Sequence, residues 1–188
     1  MAPGTDTIPA INTEAIRQNK FWYIAFVKSC MEKKAASALS SLGFECYLPI
    51  RREVHKWSDR NKTVDRVLIT GIIFIRTTPE SRLEPLKMTP YVYGYMSACG
   101  QHKPAIVRDE EMDTFRAMVD GSGREVSISN AGLAPGDFVK VLSGPLAGRV
   151  CELVSINGRN CLAVRIPMLG AATIELSADV VEKTNRPE

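Results

Sequence analysis

The chain is poor in the features that mark membrane, secreted and metal-binding proteins. None of its apolar runs approaches the roughly 20 residues that cross a bilayer, and its start lacks the basic-then-apolar order of a secretory signal. Its five cysteines include no C-x-x-C pair, which argues against a disulfide framework and a four-thiolate zinc site. These absences predict a cytoplasmic protein with no membrane contact and no metal.

Catalytic motifs are also scarce. Only His55 and His102 are available as histidine bases, and no Ser, His and acid set stands in a recognisable nucleophile motif. The stretch Gly144-Pro-Leu-Ala-Gly148 lacks the trailing Gly-Lys-Ser/Thr of a phosphate-binding loop. We therefore expect a protein that is not an enzyme and uses no cofactor.

What the chain does have is an ordinary globular composition with an uneven charge. Apolar residues make up 45% of its 188 positions and charged residues 24%, which suits a folded, water-soluble protein. Between residues 17 and 115, sixteen Lys and Arg stand against eleven Asp and Glu, whereas residues 116–188 hold eight of each. The excess in the first part favours contact with a polyanion there without requiring it.

The order of the predicted elements divides the chain into two folded units. Aromatic and β-branched strands mix with helical spacing over residues 20–118, which predicts an α/β domain. Residues 119–134 are rich in Gly and polar side chains and indicate a linker, whereas residues 135–184 hold only short strands, with Asn157-Gly158 as a hairpin turn. We expect a small β-barrel after the linker and a flexible extension over residues 1–19.

Two strands of the first unit suggest a binding face. The stretches Phe21 to Val27 and Val67 to Ile75 are apolar at odd and even positions, so both faces of their sheet must be kept from water. If the few short helices shield one face, the other keeps an apolar depression of the kind that receives a partner. On periodicity alone, the alternative that these side chains are simply core stays open. The residues of the candidate face are Trp22, Ile24, Phe26, Ile72 and Phe74.

Several segments resemble the NusG family of transcription elongation factors. Phe21-Trp-Tyr23, Cys46-Tyr-Leu-Pro49 and Leu68-Ile-Thr-Gly-Ile-Ile-Phe-Ile75 are similar to the N-terminal (NGN) domain of that family. Gly136-Asp-Phe-Val-Lys-Val141, Gly144-Pro-Leu-Ala-Gly148 and Val164-Arg-Ile-Pro-Met-Leu-Gly170 are similar to its KOW module. The resemblance implies an α+β chain in which an NGN-type α/β sandwich precedes a small SH3-like β-barrel.

One position departs from the family pattern. This chain has Thr70-Gly71 where the family often has Pro-Gly in the third strand. The departure leaves the local bulge geometry open but not the strand.

The second unit and the closing Ala178-Asp-Val-Val-Glu-Lys183 most resemble the UpxY-type antiterminators of capsular polysaccharide operons. This resemblance implies an operon-specific factor, expected to be monomeric, that binds the clamp helices of RNA polymerase through the apolar depression and suppresses pausing and termination. Two alternatives stay open. One is a general NusG-type factor that couples polymerase to the ribosome or a termination factor, and the other is a ribosome-associated RNA-binding KOW protein.

Basic residues of the first unit are candidates for contact with non-template DNA or nascent RNA. Lysine and arginine gain affinity by releasing counterions from phosphates, and a tryptophan among them can stack on a base. A solvated hairpin with a locally packed tryptophan, and helix lysines that merely aid solubility, are the open alternatives. The candidates are Arg51, Arg52, Lys56 and Trp57 in the polar segment and, by the resemblance, Lys28, Lys33 and Lys34 at the first helix.

The second unit offers one candidate contact. Leu146 stands at the tip of the Gly144–Gly148 turn and is expected to be exposed. The resemblance implies that it faces a ribosomal protein or a termination factor. A turn without a binding role is the open alternative.

Overall fold

The computed structural model describes residues 20–56, 61–129, 136–176 and 181–185, and of residues 54–56, 61–62 and 129 only the backbone. The extension predicted over residues 1–19 lies outside these ranges. Among the described residues, no helix is both long enough and apolar enough to span a membrane.

The N-terminal domain is built on an antiparallel sheet in the order β2-β5-β1-β6, with a short β7 beside β1, and a separate hairpin of β3 and β4 extends from it. Its elements in chain order are β1 (Phe21–Val27), α1 (Glu32–Ser41), β2 (Glu45–Tyr47), β3 (Ile50–Lys56), β4 (Asn61–Val67), β5 (Ile72–Thr77), a 3₁₀ turn (Ser81–Leu83), α2 (Glu84–Met88), β6 (Val92–Tyr95), β7 (Ile106–Val107), α3 (Asp109–Arg116) and a π-helical turn (Ala117–Gly121).

The central strands are apolar on both sides because helices cover both faces of the sheet. On one face, Ala25 and Ile73 pack against Ala35 and Leu39 of α1. On the other, α3 supplies the cover. The predicted α/β arrangement of this domain is confirmed.

The apolar stretch that predicts one strand from Val67 to Ile75 is interrupted. The strand β4 ends at Val67, and Leu68 to Gly71 form a bend before β5 begins at Ile72. Gly71 has a φ of +75°, a conformation that glycine adopts without steric cost. It lies at the Thr70-Gly71 position, for which the sequence left the local bulge geometry open. The prediction of a continuous strand is therefore wrong at this bend.

The C-terminal domain is the small β-barrel that the short strands predicted. Its strands are antiparallel in the order β13-β9-β10-β11-β12-β8, around a core that includes Val139, Leu162 and Ile174. Asn157 and Gly158 both have positive φ at the turn between β10 and β11, as a type I′ hairpin requires. The strands are β8 (Val126–Ser129), β9 (Asp137–Val141), β10 (Val150–Ile156), β11 (Arg159–Ile166), β12 (Gly170–Glu175) and β13 (Val181–Lys183).

Part of the predicted linker belongs to the barrel sheet. Residues 126–129 form β8 and pair with β12, with Ile174 opposite Val126. The Gly-rich composition just before this strand predicted a linker across 119–134, but Val126 and Ile128 alternate as a strand does and pack into the barrel core. Residues 130–135 lie outside the described ranges.

The two domains meet at α3. The buried Thr114 and the neighbouring Glu111 line a cavity of about 410 Å³ whose far wall includes Ala163 and Glu152 of the barrel. Glu152 is buried there and accepts two hydrogen bonds from Arg165, at 2.7 and 2.9 Å. The helix therefore has the sheet on one side and the barrel on the other.

A substitution at Gly136 tests the barrel packing. A Cβ atom at this residue would stand 1.8 Å from the Leu153 carbonyl oxygen, so Gly136→Ala must displace backbone. We expect the free energy of unfolding to fall by about 1–3 kcal/mol, as other overpacked sites do. Gly121→Ala is the control, since a Cβ there meets nothing within 4 Å. Equal urea midpoints for the two variants would contradict the packing described.

Candidate functional site

The five side chains predicted to share one face of the sheet do share it. Ile24 pairs with Phe74 and Phe26 with Ile72 in the register of β1 and β5. Directly paired residues lie on the same side of a sheet, and Trp22 follows the same alternation along β1. The common location of this set is therefore confirmed.

Most of this face is closed by the chain itself. Met112 and Phe115 of α3 belong to the same buried cluster as the sheet residues. The prediction of an open depression is wrong over most of the face, because the hydrophobic side of α3 lies on it and sequence periodicity could not tell which face that helix covers. The buried members are Trp22, Ile24, Ile72 and Phe74.

An aromatic cluster holds α3 in this position. The ring of Phe115 lies 5.7 Å from that of Phe74 and 6.2 Å from that of Tyr47, in tilted and edge-to-face arrangements. The Tyr47 hydroxyl donates to Asp120 at 3.1 Å, and burial together with that carboxylate raises the pKa of Tyr47 far above its ordinary value. The phenol therefore stays protonated as a donor and ties β2 to the end of the helix.

Trp22 contributes to the same closure. Its ring is buried, and the guanidinium carbons of Arg76 and Arg116 lie 6.0 and 5.9 Å from its centroid. Contacts of this kind stabilise by about 0.5–1 kcal/mol at exposed sites. Trp22 thus packs within the fold and does not line an open hollow.

The end of the face near Phe26 remains open. Phe26 is only partly buried, and Tyr93 stacks on it at 5.9 Å with 62% of its own surface exposed. A register shift between Phe26 and Val27 brings Tyr93 alongside, and Gly94 opposite Phe26 adds no side chain to cover it. Leu68, Ile69 and Met96 are partly buried and pack against the same cluster. We call Phe26, Leu68, Ile69, Tyr93 and Met96 the Phe26 surface.

Composition and spacing did not single out four members of this surface. Leu68 and Ile69 lie in the bend before β5, and Tyr93 and Met96 lie on and just after β6. Residues Tyr91 to Met96 alternate as a strand does, but alternation does not indicate which strand lies beside which. The pairing of β6 with β1 places Tyr93 and Met96 beside this strand, whereas Leu68 and Ile69 reach the buried cluster from the bend before β5.

The two predicted sets of basic residues lie next to each other. The Lys33 Nζ atom of α1 donates to the Asp65 backbone oxygen of β4 at 2.9 Å, which joins the helix to the hairpin. Arg52 is opposite Asp65 in that hairpin, and its side chain is 82% exposed. Lys28 and Lys34 are exposed as well. The arrangement brings these positive charges onto neighbouring elements.

Arg51 differs from its neighbours. Its guanidinium donates to Glu125 at 2.9 Å and lies 3.8 Å from Glu53, so carboxylates offset much of its charge. Lys56 belongs to β3 by its backbone, but its side chain and all of Trp57 lie outside the described residues. Arg52 also has a carboxylate near it, with Asp65 Oδ1 at 3.6 Å from its Nε, but its side chain is 82% exposed against 33% for Arg51. Of the two, Arg52 is therefore more available to a polyanion.

Leu146 is buried and not exposed as predicted. Only 1% of its surface is accessible, and it belongs to the barrel core. The Gly144–Gly148 turn folds back over the barrel, with the Gly148 N–H donating to the Val141 carbonyl at 2.7 Å. Leu146 stands at the tip of the turn in sequence but packs in the barrel core in the structure. The prediction that it is an exposed contact is wrong.

Two other apolar residues are exposed near that end of the barrel. Leu142 is 50% exposed where β9 ends, and Met168 is 46% exposed in the turn between β11 and β12. Both connections lie at the same end because β9 and β11 run in the same direction in the antiparallel order. Little in the sequence indicated that Leu142 and Met168 are exposed, since each is a single apolar residue beside a turn.

Among the described residues, no three His, Cys, Asp or Glu side chains lie close enough together to hold a metal ion. Cys30 and Cys99 are exposed, whereas Cys151 and Cys161 are buried. Burial raises the pKa of Cys151 to about 12, so its thiol stays protonated at neutral pH.

Comparison with known proteins assigns this architecture. Residues 20–116 match the family model described as transcription termination factor nusG, which is more than half of the chain, and residues 135–166 match the KOW motif. The chain belongs to the NusG family. It consists of a NusG N-terminal domain followed by an SH3-like KOW barrel, and proteins of this family are transcription factors that partner with RNA polymerase.

Two solved structures are similar to this chain at low sequence identity. A structure described as domain interaction in Thermotoga maritima NusG is 22% identical, with a TM-score of 0.46, and the match covers 90% of this chain and 99% of that one. The MjSpt4:Spt5 complex is 13% identical, with a TM-score of 0.28, covering 87% of this chain and 99% of that one. No curated protein matches at a significant level. Similarity at this level does not indicate which partners this chain binds.

Paired substitutions test which part of the face is open. Phe74 is fully buried, so Phe74→Asp places an unpaired charge in the core and should unfold the N-terminal domain. Tyr93→Asp alters an exposed ring and should change the free energy of unfolding by less than about 1 kcal/mol. Circular dichroism during thermal unfolding measures both. A folded Phe74→Asp protein would contradict the closure by α3.

Proposed function

We propose that this NusG-family chain is an operon-specific antiterminator that binds the clamp helices of RNA polymerase through the Phe26 surface. The observation that carries the proposal is the stacked pair of Phe26 and Tyr93, an exposed aromatic site beside partly buried apolar residues in the domain that defines the family. Exposed apolar patches on folded domains commonly receive partners, and aromatic residues dominate the energetics of such contacts.

The mechanism requires no covalent chemistry. A module that bridges the two sides of the polymerase cleft binds the closed, elongating state better than an opened, paused state, and differential affinity shifts the population toward elongation. A tenfold shift against pausing needs only about 1.4 kcal/mol of such preference. Action on transcription would place the protein in the cytoplasm.

Operon specialisation rests on the resemblance of the second domain to UpxY-type antiterminators. The matching stretches are Gly136 to Val141, Gly144 to Gly148 and Val164 to Gly170, together with the closing run to Lys183. A surface polysaccharide operon is therefore the proposed target. The gene's position would separate this proposal from a general elongation factor, because a specialised factor heads a long biosynthetic operon and a general one lies beside translocation and ribosomal-protein genes.

The basic residues on α1 and the hairpin are proposed to contact non-template DNA or nascent RNA. Lys33 and Lys34 of α1 and Arg52 of β3 are exposed, as is Lys28 in the connection before α1, which suits the neutralisation of successive phosphates. Arg51 contributes less, because Glu125 and Glu53 lie against it.

The exposed end of the KOW barrel is proposed to receive a ribosomal protein or a termination factor. Leu142 and Met168 replace Leu146 as the candidate contacts, because Leu146 is buried in the barrel core. A ribosome-associated RNA-binding protein is the remaining alternative, and co-sedimentation with ribosomes that survives high salt and removal of polymerase would favour it.

Tyr93→Asp tests polymerase binding. Removing an aromatic anchor from the centre of an interface commonly costs about 2 kcal/mol, so we expect about 30-fold weaker binding to core RNA polymerase. Leu142→Asp is the matched control, since it places the same charge on a half-exposed apolar residue of the other domain. Fluorescence anisotropy with labelled protein measures both affinities. Equal affinities for Tyr93→Asp and wild type would reject the Phe26 surface.

A run-off assay tests antitermination directly. On the leader of the gene's own operon, the wild-type protein should increase read-through, and Tyr93→Asp should not. A leader from an unrelated operon serves as the control for specificity. Equal stimulation on both leaders would favour the general elongation factor.

Charge reversal tests binding to nucleic acid. Lys34→Glu combined with Arg52→Glu should weaken binding to single-stranded DNA. The magnitude of the slope of log affinity against log salt should fall by about 0.7 for each phosphate that is no longer neutralised. Lys87→Glu combined with Lys103→Glu changes the net charge equally on other elements and is the control. If both pairs reduce the slope alike, the effect comes from net charge and not from this surface.

A further inference from the structure

We infer that Glu32 is a positioning residue that holds part of the Phe26 surface in its docking geometry, an inference that rests on the proposed polymerase binding. Glu32 is the first residue of α1, and only 5% of its surface is exposed. Its Oε1 atom accepts a hydrogen bond of 2.8 Å from the Gly71 backbone N–H, across 39 positions of sequence. A carboxylate so deeply buried needs such a partner to offset the loss of water.

Gly71 is held on both of its backbone groups. Its N–H donates to Glu32, and its carbonyl accepts from the Val27 N–H at 2.9 Å. The positive φ of this residue turns the chain so that Ile72 can enter β5 opposite Phe26. The contact with Glu32 therefore fixes the bend at the point where it meets the open end of the sheet.

The same turn of α1 also holds the other side of the bend. Lys33, the residue after Glu32, donates to the Asp65 carbonyl of β4 at 2.9 Å. Leu68 and Ile69 lie between Asp65 and Gly71, and both belong to the Phe26 surface. Two adjacent helix residues thus tie down the segment that presents these apolar side chains.

The residue before Gly71 does not restrain the bend as a proline would. A Pro at position 70 would fix the φ angle of that residue through its ring, whereas the φ angle of Thr70 has no such restraint. The hydrogen bond from Gly71 to Glu32 supplies a restraint of the same kind from outside the bend. A carboxylate at the first turn of a helix is also favoured by the positive end of the helix dipole.

Two conservative variants separate the effect of side-chain length at Glu32 from the effect of its charge. Glu32→Gln keeps the side-chain length and an acceptor oxygen but loses the charge, whereas Glu32→Asp keeps the charge and shortens the side chain by one methylene group. Positioning requires a side chain long enough to accept the hydrogen bond from the Gly71 N–H. We therefore expect Glu32→Asp to weaken binding to core RNA polymerase about tenfold, and Glu32→Gln to stay within about threefold of wild type.

Amide hydrogen exchange provides the second measurement. The Gly71 N–H should exchange faster in Glu32→Asp than in Glu32→Gln, because only the longer side chain still accepts from it. Glu84→Ala, which removes an exposed carboxylate from α2, is the control and should leave both affinity and exchange unchanged.

The outcomes are distinguishable. Affinity that follows charge, with Glu32→Asp binding as wild type and Glu32→Gln binding weakly, would overturn the positioning role. Wild-type affinity for both variants would overturn it too and leave the Phe26 surface intact. A wild-type protein that does not bind polymerase at all would overturn the proposed function, and with it the role of Glu32 in docking.

Discussion

The packing of α3 on the sheet is the interaction on which the rest of the structure depends. Phe115 packs edge-to-face on Tyr47 and tilted against Phe74, and aromatic pairs of this kind add about 0.5–1.5 kcal/mol beyond the area they bury. This packing closes the face that would otherwise expose the apolar side of β1 and β5. It also gives the barrel a helix to pack against, because the opposite side of α3 faces β10 and β11.

The closure confines the candidate docking site to one end of the sheet. Where α3 covers β1, the side chains are core, and beyond it Phe26 stays partly open with Tyr93 stacked on it. The bulge in β6, the absence of a side chain at Gly94 and the bend at Gly71 all lie at this end. These local irregularities leave a limited apolar surface at one end of a well-packed domain, which agrees with a protein that binds a partner without exposing its core.

Much of this architecture could be predicted from the residues, and the exceptions have specific causes. The aromatic and β-branched residues of Phe21 to Val27 and the Asn157-Gly158 turn predicted their elements correctly, because these signals are local. The cover over Phe74 was missed because the partner, Phe115, lies 41 positions away and periodicity does not report which face a helix covers. The burial of Leu146 was missed because the fold of a turn depends on hydrogen bonds such as the one from Gly148 to Val141.

Site-specific crosslinking at position 93 tests the central claim most directly. With a photoreactive benzoylphenylalanine in place of Tyr93, the aromatic character of the surface is kept while any protein within contact distance is recorded. Mass spectrometry of the product formed with core RNA polymerase should identify peptides of the clamp helices. Crosslinks that map elsewhere on the polymerase, or that form only when the probe replaces Leu142, would contradict docking through the Phe26 surface.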